Sequence, residues 1–208
     1  MPETEAPLIS LPLFPLQAVL FPGGLLSLKV FEARYLDLVS ASLRESKPFG
    51  VVALRQGSEV RKAGEPVVLE DIGTTAELLD VDSTQPGILQ VRCRGLHRFK
   101  VQSREQQSDG LWLAHATVID DDDVNIAPVG AYLESVRGLA NAIATLKQQG
   151  TEPFLKPFKF ESAGWVANRW CEILPISVAA KQKLMELPDP QVRLQLVNEF
   201  LRTKGVVK

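Results

Sequence analysis

Few residues in this chain are suited to chemistry, and they are scattered. Its only histidines are His97 and His115, and its only cysteines are Cys93 and Cys171. Two thiols so far apart do not make a disulfide framework, and buried, reduced cysteines are the better reading. The histidines fall in one strand-rich stretch and could meet in space, but a structural or surface role suits them better than catalysis or metal binding. The run Asp120-Asp121-Asp122-Asp123 offers carboxylate oxygens to a hard cation. It lacks the glycine and closing glutamate of an EF-hand loop, so a solvated hinge near the positive end of the following helix fits better. Glu32, Glu45, Glu70, Asp71 and Glu77 add carboxylates that no spacing pairs as acid and base.

Missing motifs narrow the chemistry. The sequence has no G-x-x-x-x-G-K-[S/T] loop for nucleotide phosphates, no G-x-G-x-x-G after a strand, no H-E-x-x-H, no pair of C-x-x-C motifs and no G-x-S-x-G elbow. A Ser-His-Asp arrangement stays open in principle. No residue is assigned to catalysis, to a cofactor or to a metal. One cluster has the character of a nucleic-acid surface: Arg92, Arg94, Arg98, Lys100 and Arg104, with His97 among them. On a strand, Arg92 and Arg94 share a face, as do Arg98 and Lys100, and such stripes hold phosphates. The alternation sends Phe99 inward, however, so no base-stacking platform accompanies the charge.

The elements that must position these residues change character along the chain. Leu8 to Leu16 is apolar but broken by Pro12 and Pro15, which predicts an edge or irregular path. Val19-Leu20-Phe21 reads as a short strand entering a Pro22-Gly23 turn, and Leu26-Ser27-Leu28-Lys29-Val30 alternates as a half-buried strand. Tyr35, Leu38, Val39 and Leu43 make one helical face, closed by Lys47-Pro48. Strands follow at about 49–54, 67–81 with a bend at Gly73, 88–94, 99–104 and 111–119. After Asp120 the period becomes helical. Helices are predicted from Val129 to a stop at Gly150, from a Ser162 cap to Pro175, from a Ser177 cap to Pro188, and from Asp189-Pro190 to Gly205. The boundary falls near residues 120–128, giving a β-rich part over 1–122 and a helical part over 123–208.

The bulk figures agree with a folded, unspecialised surface. The chain has 208 residues, 45% of them hydrophobic, and a formal net charge of −2. That is enough for real cores and gives no global attraction to nucleic acid or anionic membrane. No basic, apolar leader and no membrane-length apolar run is present, so a soluble, cytoplasmic protein is expected.

One block is more informative than any single residue. Leu11-Pro12-Leu13-Phe14-Pro15-Leu16, Val19-Leu20-Phe21-Pro22-Gly23 and Phe31-Glu32-Ala33-Arg34-Tyr35 together resemble the opening of the Lon protease N-terminal domain. Later pieces agree: Phe49-Gly50-Val51-Val52, Asp71-Ile72-Gly73-Thr74 followed by Ala76, Gly95-Leu96-His97-Arg98-Phe99, Leu174-Pro175-Ile176-Ser177 and Arg193-Leu194. The resemblance runs over nearly the whole chain. It implies an α+β fold: a PUA-like β pseudo-barrel with one inserted helix, followed by a C-terminal helical bundle. In full-length Lon proteases this region helps recognise unfolded or tagged substrates, and cereblon uses a similar domain partly for partner docking. The sequence stops where Lon continues into its ATPase and Ser-Lys protease domains, so a stand-alone, non-catalytic module is expected.

Structural roles are expected for the family-motif residues Phe21, Pro22, Gly23, Phe31, Glu32, Arg34, Tyr35, Gly73, Gly95, Arg98 and Phe99. Pro22-Gly23 suits a turn, Phe31 and Tyr35 are spaced to stack on one helix face, and Glu32 and Arg34 suit ion pairs that pin the helix. The leading expectation is a module that binds polypeptide clients or a protein partner. A PUA-like RNA-binding module using Arg92 to Arg104 is the alternative. No membrane partner is expected, and the oligomeric state stays open.

Overall fold

The computed structural model describes residues 7–60 and 64–207, which form two compact units divided between Asp121 and Asp122. The first contains β1 (Leu8–Leu16), β2 (Leu25–Val30), α1 (Ala33–Glu45), β3 (Phe49–Gln56), β4 (Val68–Leu69), β5 (Ile72–Gln85), β6 (Ile88–Gln106) and β7 (Trp112–Val118). The strands run in the order β1-β7-β6-β5-β3, and a parallel pairing of β1 with β3 closes the ring. β2 lies outside that ring, antiparallel to the first part of β6, and β4 is a short addition to β3.

β1 corrects the expectation of an edge. It pairs with β7 from Leu8 to Leu13 and with β3 from Leu13 to Leu16. Pro12 therefore has a neighbour only in β7, and Pro15 only in β3. Each proline, lacking an N–H, fits a half-strand with one open side, so the ring tolerates both. Val19 to Phe21 forms no strand; it leads into a turn in which Gly23 takes φ 72° and donates its N–H to the Gly95 carbonyl at 2.8 Å. A Cβ on Gly95 would collide with the Phe21 carbonyl oxygen, so only glycine lets these two backbones meet. Gly95 therefore does not break the sheet, and the expected strands at 88–94 and 99–104 are one strand, β6. The expected 67–81 strand divides at Glu70-Asp71, with Gly73 inside β5 against β3 and Phe99. The unit has two apolar cores: Leu13, Val52, Leu69 and Phe99 pack together in one, and Phe14, Phe49 and Val51 pack with Tyr35, Leu38 and Val39 of α1 in the other.

α1 buries Tyr35, Leu38 and Val39, and Ser46 ends it in the left-handed region just before Lys47-Pro48. The second unit is helical: a 3-10 turn at Gly130–Tyr132, α2 (Leu133–Gln148), α3 (Ala163–Ile173), α4 (Val178–Glu186) and α5 (Pro190–Thr203). The helix expected from Val129 begins later, after that tighter turn. The capping residues act as the sequence indicates. Ser162 accepts from the Trp165 N–H, Ser177 from Ala180, and Asp189 from both Gln191 and Val192 ahead of Pro190. Leu139, Val166, Trp170, Met185, Leu194 and Leu201 form the buried apolar side of this unit. Beside them, the Ser135 hydroxyl donates to Asn198 at 2.8 Å and the Trp170 indole to the Ser135 carbonyl at 2.9 Å.

Candidate binding surface

Among the described residues, two grooves of several hundred Å³ open on the barrel unit, both bordered by residues at or in α1. The first has a volume of ≈ 330 Å³ and runs between β2 and the end of β1. Its apolar wall comes from Phe14, Leu16, Leu26, Leu28 and Tyr35, with Phe31 at the rim. The opposite rim is the loop carrying Glu59 and Val60. Two hydrogen bonds tie that loop to the end of β1: Gln17 N–H to Glu59 at 2.6 Å, and the Gln17 amide to the Gly57 carbonyl at 3.3 Å. The second groove, ≈ 470 Å³, lies between α1 and the start of β1 and is more polar, with Asp37, Glu45, Lys47 and Asp109 in its lining.

The motif residues mostly build the frame around these grooves. Tyr35 stacks on Phe14 with ring centroids 4.1 Å apart, and burial pushes its hydroxyl up to about 12, opposed by the neighbouring Arg34 guanidinium. The expected partner, Phe31, precedes α1 and is 52% exposed, so it is a groove-rim residue and not core. Arg34 is paired with Glu32 at 2.9 Å and donates to the Gly110 carbonyl at 2.9 Å, which pins the start of α1 to the β6–β7 turn. Pro22, Gly23, Gly73, Gly95 and Phe99 serve the turn and the close strand contacts described above.

The candidates for other chemistry do not converge. The ladder sets His115 opposite Ser103, well along β6 from His97. His97 instead meets Asp121 at 2.7 Å, with both side chains about half exposed. Cys93 and Cys171 are free and buried, and burial pushes both thiols up to about 12. Such thiols are poor nucleophiles. Burial likewise pushes Glu172 up to about 7, against the opposing charges of Arg169 and Lys181.

The four aspartates point to different partners: the Asp120 carbonyl accepts from Arg98, Asp121 meets His97, Asp122 pairs with Arg193, and Asp123 accepts from Asn125. Among the described residues, no group of three or more His, Cys, Asp or Glu side chains is placed to hold a metal ion. Nor does the run serve the helix expected. α2 begins only at Leu133, and Asp122 instead lies against Gly164 in the first turn of α3, where a helix N-terminus favours a carboxylate.

The basic stripe is also divided. Arg98 is 3% exposed and donates to the Asp120 carbonyl at 3.0 Å, so it does not share an outer face with Lys100. Arg94 pairs with Glu77, and Arg104 with Asp71 at 3.3 Å. Only Arg92 and Lys100 among these five are exposed without an ion pair recorded among the described residues. The feature that sequence reading passed over is the wall formed by Leu26 and Leu28. Its signal was the alternation from Leu26 to Val30, uninterrupted by proline, which shows a strand but not that its outer edge is left open. Among the described residues, no helix is long and apolar enough to cross a membrane.

Comparisons with known proteins agree with this architecture. A Lon protease of Anaeromyxobacter dehalogenans is 27% identical over 198 residues, covering 93% of this chain and 23% of that protein. One from Koribacter versatilis is 29% identical, covering 92% and 24% respectively. The chain thus spans about a quarter of the length of these relatives. Among solved structures, a Lon N-terminal domain protein from Xanthomonas campestris superposes with a TM-score of 0.73 at 30% identity, covering 92% of this chain and 98% of that one. The N-terminal domain of a Mycobacterium avium complex Lon protease shares the fold at 13% identity, with a TM-score of 0.58 and coverage of 92% and 97%. A family model described as the substrate-binding domain of the ATP-dependent protease La (Lon) matches residues 10–203. The chain therefore belongs to the Lon substrate-binding domain family.

Proposed function

We propose that this chain is a polypeptide-recognition module that takes up apolar segments of unfolded client proteins and performs no catalysis itself. The observation that carries the reading is the match of residues 10–203 to a domain family described as substrate-binding. Further support comes from the apolar-walled groove of ≈ 330 Å³ on the barrel unit, since concave apolar surfaces are where ligands are usually held. The dispersal of the histidines, cysteines and aspartates fits recognition better than bond-making chemistry. So does the splitting of the basic stripe, which leaves the RNA-binding alternative without a continuous phosphate track.

The test is titration of the whole chain with a fluorescently labelled, reduced and alkylated model protein, which cannot refold, against the same protein in its native, disulfide-bonded form. Saturable binding of the unfolded form, with weak or no binding of the native one, is the expected result. Equal binding of both forms, or of neither, would sink the reading.

A further inference from the structure

The groove beside β2 has a property that an ordinary apolar pocket lacks. Seven consecutive residues, from Leu26 to Glu32, line it. Successive side chains of a strand point to opposite faces, so a groove under one face would meet only alternate residues. A groove met by every residue in turn runs along the strand's edge.

The hydrogen-bonding pattern says which backbone groups face it. β2 pairs with β6 without a register shift from Leu25–Arg94 to Val30–Leu89. The ladder begins one residue earlier, where the Gly95 N–H donates to the Gly24 carbonyl at 2.9 Å. In an antiparallel pair the bonded positions alternate. Leu26, Leu28 and Val30 therefore bond to β6, and the N–H and C=O groups of Ser27 and Lys29 turn outward, along the groove. Among the described residues no hydrogen bond is recorded to these outward groups.

Such an edge is a template for another strand, and natural sheets usually blunt it with proline, charge or bulges. The opposite side of the same three-stranded patch does so. The outer part of β5 carries Asp80 and Asp82, and its ladder is broken by register shifts at Leu78/Asp80 and Ser83/Gln85. β2 has no proline, no register shift and one charge, Lys29. Its bonded residues instead present Leu26 and Leu28, both partly exposed.

The geometry points to strand addition: an extended segment of an unfolded polypeptide pairs with the free edge of β2, placing alternate apolar side chains against Leu26, Leu28 and the exposed Phe31 ring. This rests on the proposed polypeptide-recognition function and names its site and mode. Main-chain bonds through Ser27 and Lys29 supply affinity indifferent to client sequence, while the apolar wall selects segments that folded proteins keep buried. A client strand of about six residues, roughly 20 Å long, would span β2.

Two measurements with the whole chain test it, both using the reduced and alkylated model protein as probe. The first is the Ser27→Pro variant. Proline removes an outward N–H that β6 does not use and puts its ring where an added strand would lie. Binding is expected to weaken at least about tenfold, with the circular dichroism spectrum unchanged. The second needs no variant. Residue-resolved amide exchange of Ser27 and Lys29 is fast in the free protein and is expected to slow when the probe saturates it.

A wild-type chain that binds the probe without protecting these two amides overturns strand addition and leaves polypeptide recognition standing. So does a folded Ser27→Pro variant that binds like the wild type. No binding by the wild type overturns both. Amides already protected in the free monomer would show the edge covered by the chain itself. A concentration-dependent dimer abolished by Ser27→Pro, without probe binding, would assign the edge to a second copy. Either result overturns the inference.

Discussion

The two units solve the same problem, fixing elements against one another, with opposite materials. In the barrel unit the largest side chains with essentially no exposure are phenylalanines: Phe21, Phe49 and Phe99. In the helical unit they are Arg169 and Arg193. The reason lies in where backbone hydrogen bonds go. Strands bond to their neighbours, so the ring β1-β7-β6-β5-β3 is held in register by its own ladders, and the interior needs only apolar filling. A helix spends its backbone bonds internally. Helices must be placed by side chains, and Arg193 does much of this: it donates to Asp122, to Asn168 on α3, and to the carbonyls of Leu184 and Leu187 at the end of α4. Polar specification in one unit thus replaces ladder specification in the other.

The chain carries a reporter for each side of this comparison. Cys93 lies buried in the barrel and Cys171 in α3. Both thiols are unreactive while enclosed, so the rate of alkylation at each reads the free energy of opening of its own surroundings.

The largest expected effect is at Arg193. Arg193→Met takes the guanidinium away from the partly buried Asp122 carboxylate and unties α3 from the end of α4, and should cost about 3–5 kcal/mol. It should accelerate labelling of Cys171 far more than that of Cys93. Equal acceleration at both cysteines would show the two cores opening as one and break the comparison. Adding Asp122→Leu to Arg193→Met sharpens it. The double variant should recover part of the loss, because the carboxylate that had lost its guanidinium is then gone.

On the barrel side the corresponding change is Gly95→Ala. The added methyl meets the Phe21 carbonyl, a backbone atom that cannot swing away. A cost of about 1–3 kcal/mol is expected, read at Cys93. If Gly95→Ala proves neutral, close backbone approach is not what allows β6 to run unbroken past the Pro22-Gly23 turn. A smaller effect is expected at Asp189→Ala, which removes the acceptor for two N–H groups of α5 and should cost about 1 kcal/mol. That cost should appear at Cys171 alone.

These contrasts also mark what the sequence makes legible. Helix caps are local: Ser162, Ser177 and Asp189 bond within three residues, so their types and positions announce them before any fold is known. The α+β order, with strands giving way to helices after Asp120, is legible for the same reason. Ring closure is not local. That Pro12 and Pro15 each face an open side depends on β1 changing neighbours at Leu13, which no window of sequence contains. The expected separation of strands 88–94 and 99–104 fails likewise, because Gly95 between them answers to the Phe21 carbonyl, 74 positions away in the chain. Arg98 looked like part of a basic face since alternation predicts sides but not which side another segment covers; its partner is the Asp120 carbonyl. The β2 edge was hidden in the same way. Alternation revealed a half-buried strand, while the openness of its far side is a property of the sheet.

The smallest expected effect carries the sharpest test of why Arg193 matters. Lys183 and Glu186 on α4 form an ion pair at 2.8 Å, and the lysine side chain is 75% exposed. Arg193, paired with Asp122, is 1% exposed. If ion pairing itself held the helical unit together, the two sites would respond alike. Water already solvates Lys183 and screens its partner, so Lys183→Ala should change stability by no more than about 0.5 kcal/mol. Removing Arg193 instead takes the guanidinium from a carboxylate only 13% exposed. The expected disparity therefore comes from desolvation and from the number of elements one guanidinium joins. Comparable losses at the two sites, measured by Cys171 alkylation, would mean that burial is not what gives the arginine its role.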